Sequence, residues 1–258
     1  MTTTTTASLR RDWTVAVVLF AFALLAGAGG VALVTAPPIA TQWFVPTTIV
    51  GIFELRFLQQ HLDTNHPVDT EMGVYDTLGL ANAVTLTRGA AFAAVAGFAV
   101  VEPTPALAWV PALLYGSGCL LDWADGLTAR VLGRTTVLGT KLDMAFDTLG
   151  FLVAPVVAVL WGRLPVWYLS LSAARYLFKA GRGLRHRQGK PVEKLPPSAV
   201  RRPLAGVQMV FITVALAPVL SPKTVETLAI VVLPPSLLVF LRDYLAVAGY
   251  LDRQKEHY

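Results

Sequence analysis

Four aspartates, Asp122, Asp125, Asp143 and Asp147, lie in one short stretch between strongly apolar segments. Charges beside a bilayer core are costly and mark function by default. Asp122 and Asp125 are three apart and Asp143 and Asp147 four apart, so on helices each pair shares a face. Gly133, between the pairs, favours a turn. Two helices meeting there bring four like charges together, which is unfavourable unless a cation sits among them. Carboxylate oxygens are the ligands that hard divalent ions such as magnesium prefer. The competing reading is a loop whose acids face water. Four of the chain's 16 acidic residues, paired at helical spacing on both flanks of one turn, argue against it.

Basic residues fall at the same predicted membrane level: Arg88, Arg130 and Lys141. Arginine and lysine bind the phosphate oxygens that a metal leaves free, and one acid of such a cluster can take a proton from an attacking hydroxyl. The chemistry is therefore metal-assisted transfer of a phosphoryl or phosphodiester group. Gly126 and Ala129 leave room on one helix face for a flat ring or a pyrophosphate, although small residues also serve close helix packing in any membrane bundle.

Long apolar helices must position these groups. Of the 258 residues, 55% are hydrophobic and 14% charged, against roughly 25% charged in soluble domains. A bilayer core needs about 20 helical residues. Apolar runs at 81–101, 106–132, 139–161, 166–180, 203–220 and 225–247 predict a six-helix transmembrane core. Ahead of it, 13–35 reads as a retained span longer than a signal peptide's apolar region. The weaker run 42–58 either crosses or lies in the interface, with Glu54 and Arg56 interfacial near its end. The fold class is an all-α integral membrane protein, with one or two N-terminal membrane helices added to the six. The divisions are an extension at 1–77, a catalytic core at 78–247 and a cytoplasmic tail at 248–258.

Residues 59–79 read as a solvated polar loop; a metal site from His61, Asp63 and His66 matches no specific spacing. From Lys179 to Arg202 the chain turns basic and loses periodicity, and Pro191, Pro196 and Pro197 argue against a continuous helix. Positive charge stays on the cytoplasmic side. With the acidic turn placed there, all of the 21 lysines and arginines except Arg163 and Lys223 fall on that side. The net charge of +5 is thereby used for orientation, and no basic stripe or zinc-finger spacing points to nucleic acid. The single cysteine, Cys119, reads as a small apolar residue.

The pattern Asp122-x2-Asp125-Gly126-x2-Ala129-Arg130-x8-Gly139-x3-Asp143-x3-Asp147 resembles the signature of the CDP-alcohol phosphotransferase family at every fixed position. Asn82-x2-Thr85-x2-Arg88, at the start of the first core helix, looks like a second family feature. The resemblance implies two magnesium or manganese ions, a CDP-linked lipid donor, a small polar alcohol acceptor, release of CMP and a homodimer among membrane lipids. By similarity, Asp122, Asp125 and Asp143 hold the first ion, and Asp122, Asp143 and Asp147 serve the second. Asp147 is also the general base. Gly126, Ala129, Arg130 and Gly139 line the CDP site, with Asn82, Thr85 and Arg88 near it. Lys141, Arg175, Arg182 and Arg185 are candidate acceptor or phosphate contacts. Thr148 follows Asp147 where family members that use glycerol phosphate often carry lysine, which weakens that acceptor and leaves serine, inositol phosphate or another alcohol open, with an ester or ether lipid as donor. The rival class is a transporter or ion-binding membrane protein that passes cations along the acids.

Overall fold

The computed structural model describes residues 7–68, 73–132, 135–193 and 195–251, and for 124–132 the backbone alone. Eight α-helices follow one another: α1 (Ala7–Val34), α2 (Pro37–His61), α3 (Gly79–Gly97), α4 (Val110–Leu132), α5 (Val137–Leu160), α6 (Ser170–Arg187), α7 (Arg201–Leu216) and α8 (Pro222–Val247). Proline sets the start where it costs nothing, at the first turns of α2 and α8. Side-chain caps begin α5 and also α8: Thr136 Oγ1 accepts from the Gly139 amide at 2.9 Å at α5, and Ser221 Oγ accepts from Thr224 N at 3.1 Å at α8.

The chain is all-α, and several of its helices are long and apolar, as an integral multi-pass membrane protein requires. Among the described residues, four helices are long and apolar enough to cross a bilayer: α1, α3 with its short continuation to Val100, α5 and α8. This is fewer than the sequence reading of six plus one or two. The reason is physical. Helix α6 carries Arg175, Lys179, Arg182, Arg185 and Arg187, α7 has only 16 residues, and the polar residues of α2 and α4 replace apolar ones.

Helix α3 is central, packed on α2, α4 and α5, while α7 joins α4 and α5 to α8. Phe92 of α3 wedges between Gly118 of α4 and Gly150 of α5, where an added Cβ would lie 2.6 and 2.7 Å from the ring. Such close approach is how helices associate when the solvent is as apolar as their side chains. The outer faces of α1 and α4 stay apolar and exposed, with Phe22, Leu33, Leu120 and Trp123 among them.

Two expectations are corrected. The basic stretch does not lose its helix at Lys179: α6 continues to Arg187, and Pro191 falls beyond its end. Glu54 is 3% exposed and packed inside the bundle, whereas Arg56 is exposed. The connection after α2 is not only a solvated loop. Asn65 is fully buried, donates to Thr77 O at 2.9 Å and accepts from Asn82 Nδ2 at 3.3 Å. Val137 N donates to His66 O at 2.9 Å, and Asp12 of α1 accepts from Leu78 N at 3.0 Å. The N-terminal helices are thus tied to the starts of both α3 and α5.

Candidate active site

Helix α5 presents Asp143 and Asp147 one turn apart, and α4 presents Asp122 toward them. One carboxylate oxygen from each lies within 4.8 Å of the others. Among the described residues this is the one group of His, Cys, Asp and Glu that could hold a metal ion. The side chains of Asp125, Gly126, Ala129 and Arg130, and residues 133–134 with the expected turn at Gly133, lie outside the described residues.

Arg88 of α3 reaches into this cluster, with 1% of its side chain exposed. Its guanidinium pairs with Asp122 Oδ1, donates to Asp143 Oδ1 at 2.7 Å and lies 3.5 Å from Asp147 Oδ1. The expectation placed Arg88 near the nucleotide; the structure places it among the metal-candidate carboxylates. One positive charge faces three negative ones. Asp147 Oδ1 is buried and accepts no hydrogen bond among the described residues. Hard oxygen donors, a surplus of negative charge and an orphaned buried oxygen fit a divalent cation.

The acids border a cavity of about 1410 Å³ between α3, α4, α5 and α7. Its wall is polar at Asn82, Thr85, Gly139 and the three aspartates, and apolar along Leu113, Leu120, Met209 and Val210. Gly139 is needed for the approach of α5 to α3: a Cβ there would lie 2.8 Å from Asn82 Oδ1 and 3.2 Å from Thr136 Oγ1. Asn82 is itself fixed, donating to Leu78 O at 2.7 Å. Asn82, Thr85 and Gly139 therefore converge on this cavity.

The four candidate acceptor contacts separate. Arg175 lies over the Phe151 ring at 4.2 Å and is electrostatically coupled to Asp147. Arg182 lies over Phe178 at 5.9 Å. Arg185 donates to the carbonyls of Pro191 and Ala248, so it fastens the ends of α6 and α8. Arg175, Arg182, Arg185 and Lys141 are all outside the cavity wall. Sequence reasoning missed Lys179, whose Nζ donates to Thr148 Oγ1 at 2.7 Å. An ammonium thus stands beside the position that lacks lysine. No local signal links residues 31 apart in the chain. His61 Nδ1 contacts Phe57 O and His66 Nδ1 contacts Pro67 O.

A family model, CDP-alcohol phosphatidyltransferase, matches residues 78–241, well over half of the chain. The chain belongs to the CDP-alcohol phosphatidyltransferase family. The match begins at the start of α3 and takes in all three clustered aspartates, Arg88 and the cavity. It leaves out α1, α2 and the buried link after them. Putative cardiolipin synthases of Mycobacterium bovis and of Mycobacterium tuberculosis are 39% identical to this chain over 82 residues. That segment covers 32% of this chain and 39% of each relative, so the chain spans well under half the length of the relatives it matches.

Proposed function

We propose that this protein transfers a phosphatidyl-type group, with ester or ether chains, from a CDP-linked lipid to the hydroxyl of a polar alcohol and releases CMP. The observation that carries the proposal is the convergence of Asp122, Asp143 and Asp147 at the wall of a cavity that is polar on one side and apolar along Leu113, Leu120, Met209 and Val210. A lipid-linked nucleotide needs both environments side by side.

In this reading Asp122, Asp125, Asp143 and Asp147 hold two magnesium or manganese ions. Bound there, the ions supply positive charge to the pyrophosphate oxygens and the departing CMP. Asn82, Thr85, Gly126, Ala129, Arg130 and Gly139 position the nucleotide. The apolar wall from Leu113 to Val210 takes the acyl chains. Asp147 removes the proton from the acceptor hydroxyl as its oxygen bonds to the lipid-bearing phosphorus. The bond from that phosphorus to the CMP oxygen breaks, and CMP leaves with the electron pair. The buried, unbonded Oδ1 of Asp147 suits a proton acceptor. Arg175, coupled to Asp147, orients the acceptor. The acids face the cytoplasm, as the positive charges favour, and the active form is a homodimer.

A second reading concerns the acceptor. The relatives' description as putative cardiolipin synthases, together with the apolar wall, favours a glycerol hydroxyl already borne by a lipid such as phosphatidylglycerol. The contact of Lys179 with Thr148 beside Asp147 favours a phosphorylated alcohol instead. Purified protein given magnesium and CDP-diacylglycerol, or its ether analogue, with a panel of acceptors is expected to form one new lipid, identified by mass spectrometry. A panel including serine, glycerol phosphate, inositol phosphate and phosphatidylglycerol decides between the readings. No product with any pair contradicts both.

A further inference from the structure

Glu54 is the one acid of α2, and it is buried at 3% exposure in a helix outside the family match. Its Oε1 has no hydrogen-bond partner among the described residues. Its Oε2 lies against α3 at Gly89, where an added Cβ would be 3.0 Å away. The neighbouring residue, Arg88, keeps a buried Nε without a hydrogen-bond partner among the described residues. A buried carboxyl and a buried guanidinium, each with one unpartnered atom, therefore lie at the same α2–α3 contact. Leaving either alone in an apolar interior is costly.

Arg88 currently spends its two terminal nitrogens on Asp122 and Asp143. A divalent ion on those carboxylates competes for the same oxygens and repels the guanidinium. Only 1% of the Arg88 side chain is exposed. We propose that Glu54 is a positioning residue that receives Arg88 as the carboxylates take up a divalent ion, so that the N-terminal helices complete the metal site without touching substrate. Glu54 supplies the counter-charge that lets Arg88 withdraw, and the aspartates are then free to bind the ion. The absence of a side chain at Gly89 gives the carboxylate its place beside Arg88.

This inference rests on the proposed metal-dependent transfer, and binding of Mn2+ alone tests it without turnover. Wild type, Glu54→Gln, Glu54→Met, Arg88→Gln and the double variant Glu54→Gln/Arg88→Gln are titrated with Mn2+ by electron paramagnetic resonance in detergent. Glu54→Gln and Glu54→Met are expected to weaken binding by about 10- to 100-fold, the range seen when a partner behind a metal ligand is lost. Their metal-free thermal midpoints are expected to stay at or above wild type, because an unpaired buried carboxylate is gone. The weakening is expected to vanish in the Arg88→Gln background, since Glu54 acts only through Arg88. Two polarities at position 54 keep the test open if one variant fails to fold. Wild-type affinity in either folded variant, or an undiminished loss in the double variant, overturns the role of Glu54 alone. A wild type that binds no Mn2+ overturns the metal-dependent reading with it.

Discussion

Two arginines, near opposite ends of α5, show how differently one side chain can be used. Beyond the C-terminal end of that helix, Arg163 donates to the carbonyls of Ala215, Ala217 and Leu220. It closes the end of α7, where backbone acceptors are otherwise unmet. In the first half of the helix, Arg88 faces three carboxylates that outnumber it, and its Nε and Asp147 Oδ1 are left without hydrogen bonds. Arg163 meets dipoles and is satisfied; Arg88 meets charges and leaves a surplus. A satisfied buried cation marks architecture, whereas an incomplete charge balance marks a place prepared for another ion.

The largest effect is expected on the unbalanced side. Asp147→Asn keeps the shape of the site and removes the proton acceptor, so CMP release should fall by about 10²- to 10⁴-fold, with binding of the CDP-linked donor retained. Wild-type turnover in that variant would break the assignment. Next come the two arginines. Arg88→Gln removes a cation that competes for Asp122 and Asp143 and is expected to tighten Mn2+ binding by about tenfold, read in the same titration. Arg163→Gln is expected to cost about 1–3 kcal/mol of stability through unmet carbonyls, seen as a lower thermal midpoint, with Mn2+ affinity unchanged. If the two variants gave the same signature, the contrast between the ends of α5 would be false.

Gly139→Ala is expected to have a smaller, mixed effect. Its methyl would meet Asn82 Oδ1 and Thr136 Oγ1, both held by hydrogen bonds, and such overpacking costs typically about 1–3 kcal/mol. Donor KM should rise together with the loss of stability. The smallest effect is expected for Lys179→Met, which removes the ammonium beside Thr148. A rise in acceptor KM with kcat kept would favour a phosphorylated alcohol, and an unchanged KM would favour an acceptor without a phosphate at that point.

The positions of the eight helices were legible because apolar runs broken by Pro, Gly and charge report helices in a bilayer directly. The acidic site was legible because Asp143 and Asp147 share a face by helical spacing and Asp122 closes on them across a short connection. What escaped were contacts between residues distant in the chain. Glu54 sits near the end of an apolar run, and packing against Gly89 of a distant helix buries it. Asn65 looked solvated among polar neighbours, yet Asn82 and Thr77 hold it inside. Lys179 looked like part of a loop, yet α6 continues and brings it to Thr148. For Asn65 and Lys179, tertiary partners satisfy a polar group that local composition assigns to water.

The most direct test of the central claim is magnesium-dependent release of CMP from CDP-diacylglycerol, or its ether analogue, by the purified protein across a panel of hydroxyl acceptors. Release that requires magnesium, matches the new lipid mole for mole and disappears in Asp122→Asn and Asp143→Asn is the predicted result. Failure to release CMP with any donor and acceptor from protein that is folded and binds Mn2+ would contradict it.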